Sequence, residues 1–517
     1  MGLAFGRGGV AEIDVNYPDA GRMQLNATYQ GSAANSDQGL TMPGADQFVS
    51  RPVGFCIEAP SADAACASPL ANCSVLTAAG DPFDLRIRAV AHESGGNGNL
   101  CSGNATTQNF RAALDLGHSL VAPSPVDDGG VPGALGKDEV TFAQVDDGEV
   151  TLAQSVSEVG VFTFSVPSGQ PYLSTTLSGS DSADIGRFIP ASFQVTSGAV
   201  DPGQLEAECV IAGGGDFQYI GQPMGWALPP SVPIVALNRQ GTVTENYTRG
   251  DFRKLSAADV QRQFPTVDSS QTTADGSASL PLESEEQAAS LNWDNTNSPG
   301  VMNFLFSTGD LFWYPKTQQS RVTPFAPALE LALTSIEDSD GVQAASMPYT
   351  FTAGLAMDSD TGNSFEVRYG RLAMENVYGP ENLDELPMPV RLESWTSTGW
   401  QSHDGGNCLP TDLAAVRDAG PTTSDHHSLD VSALQMGAVN GDYFLRLEPD
   451  GSQGTDTLHW PLSSGVGAGQ PPQAHDWLME FWGRDPNPGA LQNPEALATF
   501  GVYRGNDRII YWREVEN

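Results

Sequence analysis

Short stretches of alternating apolar and polar residues recur along the chain, separated by turns rich in Gly, Pro, Asn and Asp. In 83–90 and 162–166 every second residue is apolar, the period of a half-buried β-strand. Gly and Pro, with 56 and 36 of the 517 residues, suit short strands better than long helices. The pattern predicts an all-β fold of tandem Ig-like β-sandwich modules, with a larger, mainly-β C-terminal region and a few short helices. Two short helices are predicted, at 256–264 and 410–420, and each segment opens with a capping-type residue.

Two internal repeats organise the pattern. The first pairs 79–110 with 221–247, and each copy has Gly-x-Pro, an alternating strand, a polar turn and a Thr-x-Asn-aromatic tetrapeptide, TQNF or TENY. The second pairs 12–29 with 150–166, where an acidic residue, Asp19 or Glu158, stands two positions before a Gly and an alternating strand. We interpret the first repeat as the opening element of an Ig-like module and the second repeat as the closing element.

This order predicts four regions. We expect the closing strands of a truncated Ig-like module at 1–44, an Ig-like β-sandwich at 45–203, a second β-sandwich module at 204–345 and a β-rich domain at 346–517. No charged and apolar leader is visible at the N-terminus, and no apolar run reaches 18 residues, so no membrane insertion is expected. We therefore expect a fragment of a longer exported protein.

Six cysteines in a loop-rich chain favour disulfides, for which 15 pairings are open. We predict that Cys209 pairs with Cys408, and that the four others pair among themselves: Cys56, Cys66, Cys73 and Cys101. A zinc site is the alternative, but no Cys-x-x-Cys or paired His spacing supports it. Disulfides imply an extracellular or cell-surface location.

The charge is strongly negative, −39 from 63 acidic and 24 basic residues. Such a chain repels phosphate backbones and anionic lipid, which excludes nucleic acid as a partner. Only three of the basic residues are lysines, and 39 of the acidic ones are aspartates. That composition favours a halophilic or marine surface, with an ordinary acidic secreted protein as the alternative.

Catalytic motifs are missing from the sequence: there is no GxSxG, no phosphate-binding loop, no HExxH and no GxGxxG after a strand. We expect no enzyme and no cofactor. Two acidic turns have the carboxylate spacing that calcium accepts, with candidate ligands Asp338, Asp340, Asp358 and Asp360; solvated turns are the alternative. Trp395 and Trp400 are candidate platforms for a sugar, and core packing is their alternative.

Several stretches resemble the C-terminal region of the MSHA (mannose-sensitive haemagglutinin) type IV pilus biogenesis protein MshQ family. They are FGVYRGNDRIIYWRE at 500–514, VRYGRLAMENVYGPE at 367–381, LPMPVRLESW at 386–395, GNCLP around Cys408, and GRFIPASF at 186–193. The resemblance covers about residues 130–517. Ser192 departs from it, since a His is expected there.

This resemblance implies an exported, surface-associated component of an MSHA-type pilus, without catalytic residues. We expect a non-enzymatic extracellular protein acting in pilus biogenesis, surface display or adhesion, with pilus or cell-surface proteins as partners. The alternative is a secreted carbohydrate-binding or carbohydrate-hydrolysing β-sandwich protein, for which surface glycans would be the partners.

Overall fold

The computed structural model describes residues 8–95, 98–357, 361–411, 416–418, 430–436, 442–462, 475–483 and 489–501. The chain is nearly all β, which confirms the predicted fold class. Within these ranges the helical elements are single 3-10 turns: Ala33–Asn35, Leu70–Asn72, Gln144–Asp146, Ser197–Ala199, Glu245–Thr248, Gly250–Phe252, Ala257–Asp259, Gln318–Ser320, Gly406–Cys408 and Asp476–Leu478.

The helix predicted at 256–264 is wrong. Ser256 does open a 3-10 turn, and its hydroxyl donates to Asp259 at 2.6 Å. After that one turn, Val260–Gln263 pairs with a later strand, because sheet pairing outweighs the local helical preference. Of the helix predicted at 410–420, residues 412–415 and 419–420 lie outside the described residues, and Arg417–Asp418 is a strand.

An N-terminal β-hairpin precedes the sandwiches. It consists of β1 (Gly21–Gln30) and β2 (Thr41–Ser50), paired antiparallel over ten residues without a register shift. Its side chains are mostly exposed on both faces.

The first sandwich holds twelve strands: β3 (Gly54–Glu58), β4 (Thr77–Ala78), β5 (Phe83–Val90), β6 (Ala112–Asp115), β7 (Gly117–Ala122), β8 (Glu139–Phe142), β9 (Glu149–Gln154), β10 (Gly160–Val166), β11 (Pro171–Tyr172), β12 (Thr175–Thr176), β13 (Ser180–Asp181) and β14 (Ile185–Ile189). One sheet has the order β3-β5-β9, and the other has β13-β10-β14-β4, with β7 also on β10. The alternating residues of both sheets fill one core, in which Phe110 packs against Phe55 and Phe142.

Strand β10 serves two cores. Phe162, Phe164 and Val166 belong to the core of the first sandwich. Val161 and its neighbour Val159 belong to the next core along the chain. Because alternate side chains of a strand point to opposite faces, one strand joins two sandwiches with no linker between them.

The second sandwich holds fifteen strands: β15 (Ser192–Val195), β16 (Gln204–Leu205), β17 (Phe217–Tyr219), β18 (Trp226–Leu228), β19 (Ser231–Leu237), β20 (Val260–Gln263), β21 (Val267–Thr272), β22 (Ser279–Pro281), β23 (Glu283–Glu285), β24 (Ser290–Trp293), β25 (Val301–Leu305), β26 (Leu311–Trp313), β27 (Glu330–Ile336), β28 (Tyr349–Thr352) and β29 (Gly354–Leu355). Its main sheets are β15-β19-β25-β24 and β20-β27-β28. The core extends to Tyr369. Strands β28 and β29, which follow the predicted division at 345, therefore belong to the second sandwich.

The C-terminal sandwich holds ten strands within the described ranges: β30 (Glu366–Arg368), β31 (Gly370–Met374), β32 (Val377–Gly379), β33 (Leu386–Thr396), β34 (Gly399–Ser402), β35 (Arg417–Asp418), β36 (Asp430–Met436), β37 (Asp442–Glu448), β38 (Gly454–His459) and β39 (Glu495–Phe500). One sheet is β31-β33-β37-β36 with β34 on β33, and the other is β32-β39-β38-β35. Strand β17 pairs with β30 and adds Phe217 and Tyr219 to this core.

No helix in the described part of the chain has the length and apolar character that a membrane crossing requires.

Candidate functional site: the junctions between modules

The contact between the first and second sandwiches, which we call the sandwich junction, is centred on the carboxylate of Glu158. It accepts hydrogen bonds from the backbone N–H groups of Glu245 at 3.0 Å and of Asn246 and Val159 at 3.2 Å. A hydrogen bond in the opposite direction completes the contact, since Nδ2 of Asn246 donates to the carbonyl of Val159 at 2.9 Å. Glu158 is 5% exposed and Asn246 is fully buried. The two sandwiches are thus held by paired, water-excluded polar contacts.

The contact between the β-hairpin and the first sandwich, the hairpin junction, repeats this arrangement. Asp19 accepts from the backbone N–H of Asn109 at 2.9 Å and from its side-chain Nδ2 at 2.6 Å. It also accepts from the backbone of Ala20 at 2.7 Å, as Glu158 does from Val159. We call this contact, between an acidic residue two before a Gly and the Asn of a Thr-x-Asn-aromatic tetrapeptide, the acidic latch.

The Thr and the aromatic residue of each tetrapeptide fix the Asn in place. Thr107 donates its hydroxyl to the carbonyl of Ala89 at 3.0 Å, and Thr244 donates to Ala236 at 3.1 Å. The aromatic residues Phe110 and Tyr247 are fully buried in their cores. The first and last residues of the tetrapeptide therefore anchor the loop, and the Asn between them faces the neighbouring module.

The glycines that follow the acidic residues start the closing strands. Gly21 has φ of 142° and Gly160 has φ of 146°, a region that side chains disfavour. At Gly160 a Cβ atom would also lie 2.5 Å from the carbonyl oxygen of Ala122. The glycine allows the chain to turn from the latch directly into β1 or β10.

Burial raises the pKa of Glu158 to about 7, against the opposing effect of its backbone donors. Below the ordinary value of 4.5 the carboxyl is protonated in both the folded and the unfolded chain. Between 4.5 and about 7 the folded state holds an extra proton, so folding stability falls as the pH rises through this window. The loss amounts to roughly 3 kcal/mol and is complete above the folded pKa.

We therefore expect the thermal midpoint of the wild type to fall more between pH 5 and pH 8 than that of Glu158→Gln, which cannot titrate. Calorimetry at several pH values measures the thermal midpoints of both proteins. Comparing the two proteins cancels the effect of the other carboxylates, which they share. An equal fall in both proteins would contradict the assignment of this titration to Glu158.

Two arginine pairs add to the sandwich junction. Arg187 forms a two-pronged pair with Asp340, at 2.5 and 2.8 Å, and both side chains are nearly buried. Arg239 forms another with Asp81, at 2.5 and 2.6 Å, on the exposed rim. Buried bidentate pairs fix geometry, whereas an exposed pair contributes little to stability.

The calcium candidates in the first acidic turn are bonded to protein groups. Asp338 accepts from the hydroxyl of Tyr247 at 2.7 Å and from the backbone N–H groups of Asp340 and Val342 at 3.0 Å. The two carboxylate oxygens of Asp340 face Arg187. All four oxygens thus have protein donors, and they connect this turn to the latch tetrapeptide. Asp358 and Asp360 lie outside the described residues, and calcium stays a prediction.

The second and C-terminal sandwiches are joined by a disulfide. The sulfur atoms of Cys209 and Cys408 are 2.08 Å apart and close a separation of 199 residues. The ammonium of Lys316 donates to the carbonyls of Gly370 and Trp477. Burial lowers the pKa of Lys316 to about 7.

The other four cysteines are bonded within the first sandwich, as Cys56–Cys101 and Cys66–Cys73. Cys56, Glu58 and Cys101 are the one group in the described ranges close enough to share a metal ion. Since both of its sulfurs are consumed by the disulfide, this group does not offer a thiolate site.

The two candidate sugar platforms face protein cations. The guanidinium of Arg371 lies 3.9 Å from the ring centre of Trp400. The guanidinium of Arg321 lies 5.7 Å from the same ring and 5.5 Å from Trp395. The rings of Trp395 and Trp400 meet edge to face at 5.5 Å and pack against the core. These contacts favour the packing alternative for both rings.

Sequence patterns identify the latch residues but not their contact. The repeats equate Asp19 with Glu158 and one tetrapeptide with the other, yet a repeat shows which segments are alike and not which ones touch. The pairing of Arg187 with Asp340 has no sequence signal, because 153 residues separate the two.

Four consecutive domain models of one family match the chain in order. The model described as "Domain of unknown function (DUF6701), first Ig-like domain" matches residues 1–45. The second, third and fourth DUF6701 domains match residues 51–154, 158–364 and 368–515. No curated protein sequence matches the chain.

Similarity to solved structures is distant. Invasin, described as a bacterial integrin-binding protein, is 8% identical, with 78% of this chain and 56% of invasin covered and a TM-score of 0.20. A marsupial T cell receptor is 9% identical, with 74% of this chain and 93% of the receptor covered and a TM-score of 0.16. The chain thus spans a little over half of the invasin structure. Similarity of this degree says nothing about what the chain binds.

Proposed function

We propose that this chain, which belongs to the DUF6701 family, is a non-enzymatic extracellular stalk. The chain matches the four domain models of that family in order. In this proposal the modules form a stiff support that displays the C-terminal region at a cell surface. The observation that carries it is the acidic latch, because the same contact closes two successive junctions.

Stiffness follows from the kind of contact at each junction. Domains joined by small polar interfaces are expected to move relative to each other. Here Glu158 and Asn246 are buried, and β10 contributes to both cores. Bending the sandwich junction would separate the Glu158 carboxylate from its backbone N–H donors, and each donor left buried without an acceptor costs about 1 to 3 kcal/mol. A stalk that transmits position over a distance needs such resistance.

The extracellular setting is supported by the three disulfides, which join all six cysteines and persist in oxidising compartments. The acidic, lysine-poor composition suits a surface in contact with salt water, and a halophilic setting is part of the proposal. The absence of catalytic motifs from the sequence supports a non-enzymatic role.

Association with an MSHA-type pilus rests on the sequence resemblance over about residues 130–517. The proposed partners are pilus or other cell-surface proteins. Co-purification of this chain with pilin subunits from cells that carry both would support this part of the proposal. A chain that turns over a polysaccharide, and loses that activity on one carboxylate-to-amide substitution, would overturn the non-enzymatic role.

Small-angle X-ray scattering tests the stalk directly. A compact chain of this length would have a radius of gyration of about 24 Å, and we expect a clearly larger value. A measured radius near the compact value, or a profile typical of freely jointed domains, would contradict the proposal.

A further inference from the structure

A cavity of about 410 Å³ lies on the outer face of the C-terminal sandwich. It is lined by outward side chains of β38 and β39, among them Thr457 and Leu497, which are paired across the two strands. Their chain neighbours Leu458 and Ala496 belong to the core on the other side of the sheet, as the alternation of a strand requires. Sites for small molecules have volumes of about 300 to 1,000 Å³. The sheet thus offers a ligand-sized cavity on its solvent side.

Three polar side chains line this cavity, and each offers a different kind of hydrogen-bonding group. Asn376 accepts through its Oδ1 from the backbone N–H of Leu497 at 2.8 Å, which leaves the two N–H donors of its amide for a ligand. Thr457 adds a hydroxyl, which both donates and accepts. Glu495 adds a carboxylate acceptor, and one of its oxygens is bonded to the ring of His459 at 3.1 Å. A ligand that suits all three groups must donate hydrogen bonds as well as accept them.

An aromatic side chain, Trp482, also lines the cavity. The guanidinium of Arg371 lies 4.8 Å from the centre of this ring. Arg371 is itself fixed, since its Nε donates to Glu393 at 2.7 Å and its guanidinium lies 3.9 Å from the ring centre of Trp400. A ring that is positioned before binding loses little freedom when a ligand stacks on it.

The charges around the cavity favour an uncharged ligand. Glu495 would repel an anion, and among the described residues that line the cavity there is no lysine or arginine to attract one. A cationic ligand would compete with Arg371, which already lies over the ring of Trp482. The hydroxyls of a neutral sugar donate and accept hydrogen bonds, and the C–H face of a pyranose is flat and apolar. A neutral sugar therefore fits the ring, the three polar groups and the charges together.

We propose that this cavity binds one sugar unit of an uncharged polysaccharide. The pyranose stacks on Trp482. Its hydroxyls accept from Asn376, exchange hydrogen bonds with Thr457 and donate to Glu495. The proposal names a ligand class for the C-terminal region, and it rests on the proposed function in that the stalk displays this region. The earlier candidate platforms, Trp395 and Trp400, do not line this cavity.

Affinity electrophoresis in native gels tests the proposal on the full chain, whose charge of −39 carries it through the gel at neutral pH. Each gel contains one uncharged polysaccharide, namely dextran, glucomannan, xyloglucan or laminarin, or else the anionic polysaccharide alginate. We expect at least one of the uncharged polysaccharides to retard the wild type. We expect alginate not to retard it.

Two tryptophan variants locate the binding. Trp482→Ala removes the ring in the cavity. Trp293→Ala is the matched control, because it removes a ring of the second sandwich that is 41% exposed and lies 3.8 Å from the guanidinium of Arg253. The dependence of retardation on polysaccharide concentration measures the affinity. We expect Trp482→Ala to weaken binding at least about tenfold and Trp293→Ala to leave it unchanged.

A third variant, Asn376→Ala, keeps the test independent of the folding of Trp482→Ala. Asn376 is exposed, and its replacement removes one donor to the sugar. We expect binding to weaken about fivefold. Thermal midpoints equal to that of the wild type serve as the folding control for each variant.

Three results would overturn the proposal. The first is that no uncharged polysaccharide retards the wild type, and the second is that Trp482→Ala and Asn376→Ala are retarded as strongly as the wild type. The third is retardation by alginate alone, since it would assign the surface to an anionic ligand. None of these results alters the radius of gyration measured by small-angle X-ray scattering. A failed sugar site and a failed stalk are therefore distinguishable.

Discussion

Replacing Glu158 with alanine is expected to lower the free energy of unfolding by roughly 2 to 6 kcal/mol. The substitution leaves the backbone N–H groups of Asn246, which is buried, and of Glu245, which is half-buried, without their acceptor. Each unpaired buried donor costs about 1 to 3 kcal/mol. Denaturant unfolding at pH 5.5 measures the effect. At this pH the raised pKa keeps the carboxyl of Glu158 mostly protonated. The measured difference in the free energy of unfolding therefore does not include the cost of burying a charge.

The matched control is Asp19→Ala at the hairpin junction. Asp19 makes the same kind of contacts, but its partner Asn109 is exposed, and water replaces the lost acceptor. We expect a loss of about 1 kcal/mol or less. Equal losses in the two variants would show that burial does not distinguish the junctions.

Removing the disulfide between the second and C-terminal sandwiches is expected to have the other large effect. In the chain-entropy description, the bridge that spans 199 residues, Cys209–Cys408, restricts the unfolded chain by about 5 kcal/mol. The bridge that spans 7 residues, Cys66–Cys73, restricts it by about 2 kcal/mol. Double substitution of each pair by alanine, followed by denaturant unfolding, compares the two.

We expect the Cys209→Ala, Cys408→Ala protein to lose more than twice the stability that the Cys66→Ala, Cys73→Ala protein loses. Mass spectrometry of the wild type without reductant provides the control, since it identifies the linked peptides. Free thiols at Cys209 and Cys408 would refute the pairing, and equal losses would refute the dependence on loop length.

Much of the fold could be predicted because its cause is local. The alternation in 83–90 and 162–166 became β5 and most of β10, since half-buried strands require that period. The helix expected at 256–264 failed because its cause is distant: Val260–Gln263 is drawn into a sheet by β27, about seventy residues later. A capping residue signals that a turn can begin, but not what the next residues will pair with.

The same distinction between local and distant causes applies to the candidate site. Single-residue features of the latch, such as an acidic residue two before a glycine, are visible in the sequence. That Glu158 lies against Asn246 follows from the packing of two sandwiches, which no local pattern encodes. For Trp400, the sequence shows an aromatic ring, but the Arg371 guanidinium beside it comes from another strand.

The double role of β10 sets the smallest piece of this chain that can stand alone. Sequence similarity divides the protein between residues 154 and 158, just before Gly160. A polypeptide cut there would lose Phe162, Phe164 and Phe188 from the core they share with Phe83. The N-terminal piece would keep the inner faces of its sheets but would lack β10, the strand that covers them. The boundary between the two matched domain models therefore does not coincide with the boundary of the folded unit, and a protein divided there would lack part of the first sandwich core.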